Sequence, residues 1–186
     1  MRCGMVWWMD VHLIVRHAVL ADAEGIARVH TRSWQIAYRG IISDDYLNAL
    51  NWETRFEIWS NRLSSFQPAS SNLFVATDTN GSVTGFAAIG QVRDDDLTAT
   101  GFFELFAIYV MPETWGLGIG KALLDSALKS APKDAPGVSL WVLAGNDRAR
   151  RFYQRQGFQL DGTSRVLTIG DRDLEEVRYI RTPPEG

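Results

Sequence analysis

The sequence predicts one mixed α/β domain. Apolar runs rich in β-branched and aromatic residues alternate with stretches of helical period, and glycine or asparagine turns separate them. At 186 residues the chain is one domain by length, and no repeat, low-complexity block or domain boundary divides it.

Each element follows from its own pattern. Val11 to Val15, "VHLIV", reads as a strand. A helix begins at about Asp22, an acceptable N-cap, and carries Ile26, Val29, His30, Trp34 and Ala37 or Tyr38 at helical spacing. "YRGIISDDYLNAL" breaks that helix at Gly40 and restarts at Ser43. A further helical stretch runs from Trp52 to Leu63, and "SSFQPASS" is a polar linker. "NLFVATDTNGSVTGFAAIGQV" holds two alternating runs joined around Asn80-Gly81, a hairpin signal. "RDDDLTATG" is a loop leading into a strand over Phe102 to Val110. After a glycine turn, Ile119, Leu123, Leu124, Ala127, Leu128 and Ala131 fall on one helix face. "GVSLWVLA" is a strand, and "NDRARRFYQRQ" is a helix that Gly157 ends. "GFQLDGTSRVLTIGDRDLEEVRYIR" supplies two more strands with a turn near Gly170-Asp171.

Composition narrows the class. A net charge of −3 offers no broad basic surface for nucleic acid. No apolar run approaches the ~20 residues that span a bilayer. The single cysteine, Cys3, leaves no internal disulfide, which fits a reducing, cytoplasmic setting. "MRCGMVWW" has too short an apolar patch for a signal peptide and no small-residue cleavage site. Residues 1–8 are expected to be an extension without function, 9–182 the domain, and 183–186 a flexible tail.

The most informative stretch is "VMPETWGLGIGKALL", Val110 to Leu124. It sets Gly116, Gly118 and Gly120 between a buried strand and a helix. The first N–H groups of that helix point outward from a turn without side chains, which suits a phosphate or pyrophosphate. Two familiar phosphate loops fail on spacing. A Walker A loop needs Gly where Trp115 stands and Ser or Thr where Ala122 stands. A dinucleotide fingerprint fails because Lys121 occupies the place of its third glycine.

A third pattern fits. The strand, "PE", the alternating glycines, the helix, the next strand and then "N…A…FY…GF" resemble the GNAT superfamily of N-acetyltransferases. The resemblance is strong over Glu104 to Gly162, where two motifs occur in order. The opening strand and helix are also typical of such proteins. It implies a single-domain GNAT-type fold, with a central mixed sheet of six or seven strands and helices on both faces. It also implies acetyl-CoA as co-substrate and no metal. The pyrophosphate would rest on the backbone from Gly116 through Leu117, Gly118, Ile119 and Gly120 to Lys121. There the helix dipole adds about half a unit charge. A Cβ on the glycines would push the phosphates away. The pantetheine arm would pair with Ile108, Tyr109 and Val110 like an added strand. Trp115 departs from the family, which usually carries Arg or Gln there. It could pack on the cofactor or the neighbouring helix, with Lys121 supplying the missing charge.

The same resemblance nominates the chemistry. Tyr153 matches a tyrosine that protonates the departing thiolate; its other reading is an aromatic packed beneath the sheet. Glu104 matches a general base acting through water; its other reading is a charge on the solvent face of the strand. Asn146 matches a cofactor-binding position and is also a sound N-cap. Trp34 and Tyr38 share a helix face and either wall the acceptor pocket or belong to the core. Asp94, Asp95 and Asp96 either attract a cationic amine or are simply solvated. Arg148, Arg150, Arg151 and Arg155 either meet the 3′-phosphate or form a solvated basic face. His12, His17 and His30 lack metal-ligand spacing. The expected activity is direct acetyl transfer to a primary amine of a small molecule or of a peptide or protein. The alternative is an acyl-CoA-binding sensor without catalysis. Neither a nucleic-acid nor a membrane partner is expected, and exposed apolar surface is compatible with a homodimer.

Overall fold

A computed structural model describes residues 13–64 and 71–183. The extension expected at residues 1–8, Cys3, His12 and most of the linker and tail lie outside these residues. The elements are β1 (Ile14–His17), α1 (Ala23–Ala37), α2 (Asp44–Ala49), α3 (Trp52–Ser64), β2 (Ser71–Thr77), β3 (Val83–Gln91) and α4 (Asp95–Thr98). They continue with β4 (Phe103–Val110), α5 (Ile119–Ser130), β5 (Val138–Leu143), α6 (Asp147–Arg155), β6 (Gln159–Ile169) and β7 (Arg172–Arg181). Seven strands form one sheet in the order β1-β2-β3-β4-β5-β7-β6. All pairings are antiparallel except β4 with β5.

Side-chain alternation along the central strands explains why both faces are covered. Leu73, Val75, Phe86 and Ala88 point one way and pack with Ala23, Ile26, Val29 and Trp59 of α1 and α3. Phe74, Ala76, Ala87 and Ile89 point the other way, onto Ile119, Leu123, Leu124 and Ala127 of α5. A strand buried on both faces reads as a continuous apolar run, as "GFAAI" does. Gly85 sets how closely α5 approaches. A Cβ there would stand 2.9 Å from Leu123 Cδ1 and 3.0 Å from the Tyr109 carbonyl. The glycine thus lets α5, with the turn before it, lie directly against β3 and β4.

One loop differs from expectation. The acidic run is divided: Arg178 holds Asp94 and Asp96, while Asp95 and Asp96 remain exposed to solvent. The guanidinium of Arg178 is 5% exposed and donates to Asp94 at 3.3 Å, to Asp96 at 2.6 Å and to Asp161 at 2.6 Å. Trp141 Nε1 also donates to Asp94 at 3.0 Å. The clamp ties the helical turn α4 to β6 and β7, and an Arg on a distant strand is invisible to a local reading of "RDDDLTATG".

Candidate active site

β4 and β5 part company soon after they meet. They are in register only at Phe103 with Val138 and Glu104 with Ser139, although β4 continues to Val110 and β5 to Leu143. On the other side of β4 the register with β3 shifts between Ala88 and Ile89, so Phe106 is an extra residue. Such a bulge bends its strand. A cavity of about 670 Å³ opens along the gap, walled by β4, β5, the glycine turn and α6.

The ladder decides which backbone groups face this gap. Met111 N donates to the Thr84 carbonyl at 2.8 Å, and Val110 lies opposite Gly85. Alternation along an antiparallel pair therefore turns the amide and carbonyl of Ile108 and of Val110 away from β3, into the gap. Those of Tyr109 face β3, so only the Tyr109 side chain reaches the cavity. The Val110 carbonyl already accepts from Trp115 Nε1 at 2.9 Å and Ser33 Oγ at 3.0 Å.

The glycine turn leads into α5 with Gly118 as its N-cap. Gly116 and Gly118 have φ of 88° and 82°, a left-handed conformation that penalises any side chain. A Cβ on either would meet nothing within 4 Å, so backbone conformation rather than crowding requires glycine there. Among the described residues, the amides of Gly116, Gly118, Ile119, Gly120 and Lys121 have no backbone acceptor. Those of Trp115 and Leu117 are spent within the turn, on Pro112 and Thr114. Leu117 also has its side chain 55% exposed and stands outside the cavity wall, unlike the rest of the turn.

Charge at this end comes from more residues than the sequence suggested. Lys121 lines the cavity, with Nζ paired to Asp125 at 2.6 Å. The Arg148 guanidinium lies 3.8 Å over the Trp115 ring. Arg148, Arg151 and Arg155 all line the cavity. Burial, and then the charges of Arg151 and Arg155, lower the Arg148 pKa. An anion among them would relieve that repulsion. Arg150 turns away, donating to the Ala144 carbonyl at 2.9 Å and to Tyr179 Oη at 3.3 Å.

Asn146 caps α6, its Oδ1 accepting from Ala149 N at 3.1 Å. Its Nδ2 is left for the cavity it lines. Tyr153 is buried in the same wall, its ring edge-on to Phe152 and Phe158. Burial, with a smaller contribution from the Tyr109 phenol, pushes the Tyr153 hydroxyl well above its ordinary pKa. It therefore carries its proton across the working pH range.

Glu104 is only 2% exposed, which overturns the solvent-face reading. Arg93 wraps it: the backbone N and Nε donate to Oε2 at 3.2 Å and 3.0 Å, and Nη2 donates to Oε1. Glu176, which the sequence reading missed, also lines the cavity and is held by Arg165 at 2.8 Å. Arg93 and Arg165 lie over Phe106 and Trp141, at 4.5 Å and 4.0 Å. These residues sit on four different strands or loops, and no local motif links them.

Trp34 and Tyr38 line the cavity, with ring centroids 5.0 Å apart and edge-on. Tyr38 also belongs to a core cluster with Ile42, Leu47, Leu143 and Ile169, against which Trp34 packs. Tyr38 Oη stands 3.5 Å from Tyr109 Oη. The Trp34 indole N–H is buried without an acceptor in hydrogen-bonding geometry. Burial raises the Tyr109 phenol above its ordinary range, and Tyr38 and Trp34 oppose this only in part.

Behind them, His30 stacks on Tyr109 at 4.9 Å and accepts from Trp59 Nε1 at 3.2 Å. Burial and then the Arg55 charge lower its pKa to about 3, so it is neutral. The unfolded value is about 6.5, and between the two only the unfolded chain binds the proton. Stability contributed by neutral His30 is thus complete above pH 6.5 and lost as pH falls. Between pH 7 and pH 5 the wild type should lose about 2 kcal/mol more than His30→Gln. Urea titrations at the two pH values measure this, and equal losses would mean that folded His30 binds its proton normally.

Residues 32–158, which include the glycine turn, Glu104, Asn146 and Tyr153, match the model of the Acetyltransferase (GNAT) family. The chain belongs to the GNAT family. As a GNAT protein it is an N-acetyltransferase. The uncharacterized N-acetyltransferase YuaI of Bacillus subtilis (strain 168) is 42% identical over 133 residues, 71% of this chain and 72% of its own. The spermidine N(1)-acetyltransferase of Thermoplasma acidophilum is 26% identical over 167 residues, 87% of this chain and 97% of that one. The crystal structure of PaiA N-acetyltransferase from Thermoplasma acidophilum, in complex with coenzyme A, has the same fold. Its TM-score is 0.71 at 24% identity, over 92% of this chain and 99% of that one. Among the described residues no helix of this GNAT protein is long and apolar enough to cross a membrane.

Proposed function

We propose that the protein moves the acetyl group of acetyl-CoA directly onto a primary amine of a small molecule or peptide. The observation that carries this reading is the gap between β4 and β5, with unclaimed amides at one end and Tyr153 in its wall. That the fold neighbour was crystallised with coenzyme A, and that a relative is named for a polyamine, supports the same donor and acceptor classes.

The residues fit the cofactor. The amides of Gly116, Gly118, Ile119, Gly120 and Lys121 receive the pyrophosphate, each charge-assisted bond contributing roughly 1.5–3 kcal/mol. The dipole of α5 adds to them. Arg148, fixed on Trp115, takes the role of the missing cation, and Arg151 and Arg155 extend the positive field toward the 3′-phosphate. Ile108 pairs with the pantetheine through both backbone groups. Val110 pairs through its amide alone, since Trp115 and Ser33 fill its carbonyl. Asn146 adds its free Nδ2.

Acyl transfer forms the amide C–N bond and breaks the thioester C–S bond through a tetrahedral oxyanion. Tyr153 Oη donates its hydrogen bond to the sulfur as that bond breaks. A raised phenol pKa keeps the proton available. On the other side, Glu104 accepts the amine proton through a water at the Oε1 position that Arg93 leaves open. An α-amine, with an ordinary pKa of about 7.7–8.0, reaches its neutral nucleophilic form more readily near pH 7 than a lysine-type amine at about 10.4.

Calorimetric titration of the purified chain with acetyl-CoA tests the reading, with ATP and NAD as controls. Micromolar binding of acetyl-CoA alone is the expected result, followed by acetyl-dependent thiol release with an amine. Absence of acetyl-CoA binding would overturn it. Binding with no turnover on any amine would leave the acyl-CoA sensor.

A further inference from the structure

The acceptor end of the cavity carries two carboxylates among its described lining residues, Glu104 and Glu176, and each is paired with an arginine. Arg93 holds Glu104, and Arg165 holds Glu176 through Nε at 2.9 Å and Nη2 at 2.8 Å. The two carboxylates are withdrawn, with side chains 3% and 13% exposed; the two guanidiniums are presented, at 67% and 44%. Each arginine commits Nε and Nη2 to its glutamate. Arg165 Nη1 stands 3.8 Å from Asp94 Oδ1, beyond hydrogen-bond reach. Phe106 and Trp141 lie beneath the guanidinium planes and hold them in orientation.

Such an arrangement has a definite selectivity. A polyammonium chain meets carboxylates whose charge is already matched, Glu104 by Arg93 through both oxygens and Glu176 by Arg165 through Oε2. It could recruit one only by displacing an arginine, which would leave a buried Glu104 facing the wrong partner. An acceptor with its own carboxylate meets two oriented N–H edges without disturbing either pair. We infer that the acceptor is a small primary amine bearing a carboxylate, an amino acid or short peptide, oriented by Arg93 and Arg165. The inference rests on the acetyl-transfer reading above and specifies its second substrate.

The test uses the full chain, acetyl-CoA, and initial rates of thiol release. Amino acids and dipeptides are compared with their own C-terminal amides, and spermidine serves as the polycation. The free acids should exceed their amides in kcat/KM by about tenfold or more, with the difference mainly in KM, and spermidine should rank below both. In Arg165→Gln the acid-to-amide ratio should collapse toward one. Arg165 is chosen because replacing Arg93 would leave buried Glu104 unpaired and endanger the fold. Amides equal to or better than the acids, a preference for spermidine, or a ratio unchanged in Arg165→Gln would overturn the inference. So would acetyl-CoA binding with no acid-bearing amine acetylated, while the transfer reading stands. Loss of acetyl-CoA binding itself is a separate outcome, one that removes the transfer reading and this inference with it.

Discussion

Replacing Tyr153 with phenylalanine is expected to lower kcat by about a hundredfold, with acetyl-CoA affinity changed by no more than about twofold. The ring contributes packing between Phe152 and Phe158, and phenylalanine keeps that. Phenylalanine therefore removes the hydroxyl alone and keeps the buried ring in place. What is lost is the hydrogen bond to a sulfur that becomes anionic only as the C–S bond breaks. A second readout separates this from a general loosening of the site. Acetyl donors with more acidic thiols need less help in leaving, so the deficit of the variant should shrink as the thiol pKa falls. A deficit equal for all donors would assign Tyr153 to packing alone.

Arg148→Ala should weaken acetyl-CoA binding by about tenfold to a hundredfold, the loss of one charge-assisted contact to phosphate. Trp115→Ala should give about a tenfold loss of its own, because the indole both anchors to the Val110 carbonyl and supports the Arg148 guanidinium. The two losses should not add. If Trp115 acts through Arg148, the double variant should bind about as well as Arg148→Ala, a coupling energy of roughly 1–2 kcal/mol. Lys121→Ala provides the contrast, since its ammonium is already paired with Asp125 and 60% exposed. It should cost less than about threefold. Calorimetry on the four proteins measures the whole cycle. Additive losses would mean that Trp115 touches the cofactor itself, and a large loss at Lys121 would return the phosphate charge to that residue.

The parts of this site that were legible in the sequence are the parts built from neighbours. "WGLGIGK" declares a turn because left-handed positions demand glycine, and the helix after it declares itself by period. The seven strands follow from alternation and punctuation in the same way. Tyr153 and Asn146 were nominated by the resemblance of "N…A…FY…GF" to the GNAT family, and a local reading alone gave only the N-cap at Asn146. Glu104 was located, but its surroundings were not, because Arg93 reaches it from the β3–β4 loop. The partner of Asp94 and Asp96 could not be read for a similar reason: Arg178 lies on β7. Trp115 was recognised as a departure, while the stacking of Arg148 on its ring, across a strand and a turn, needed the fold. Charge pairing between elements distant in sequence leaves no periodic trace, and it is here that the acceptor end takes its character.

The parting of β4 and β5 also bears on how the domain holds together. Only the pairs at Phe103 and Glu104 join the four-strand half of the sheet to the three-strand half by direct registry. A molecule lying in the cleft and bonded to Ile108 and Val110 on one side, and to α6 on the other, acts as a strut between the halves. By mass action, a ligand present at about a hundred times its Kd would add roughly 2.7 kcal/mol to the stability of the whole. The co-substrate would then be a mechanical member of the fold as well as its acetyl donor, and the protein would stiffen or slacken with the acetyl-CoA supply around it.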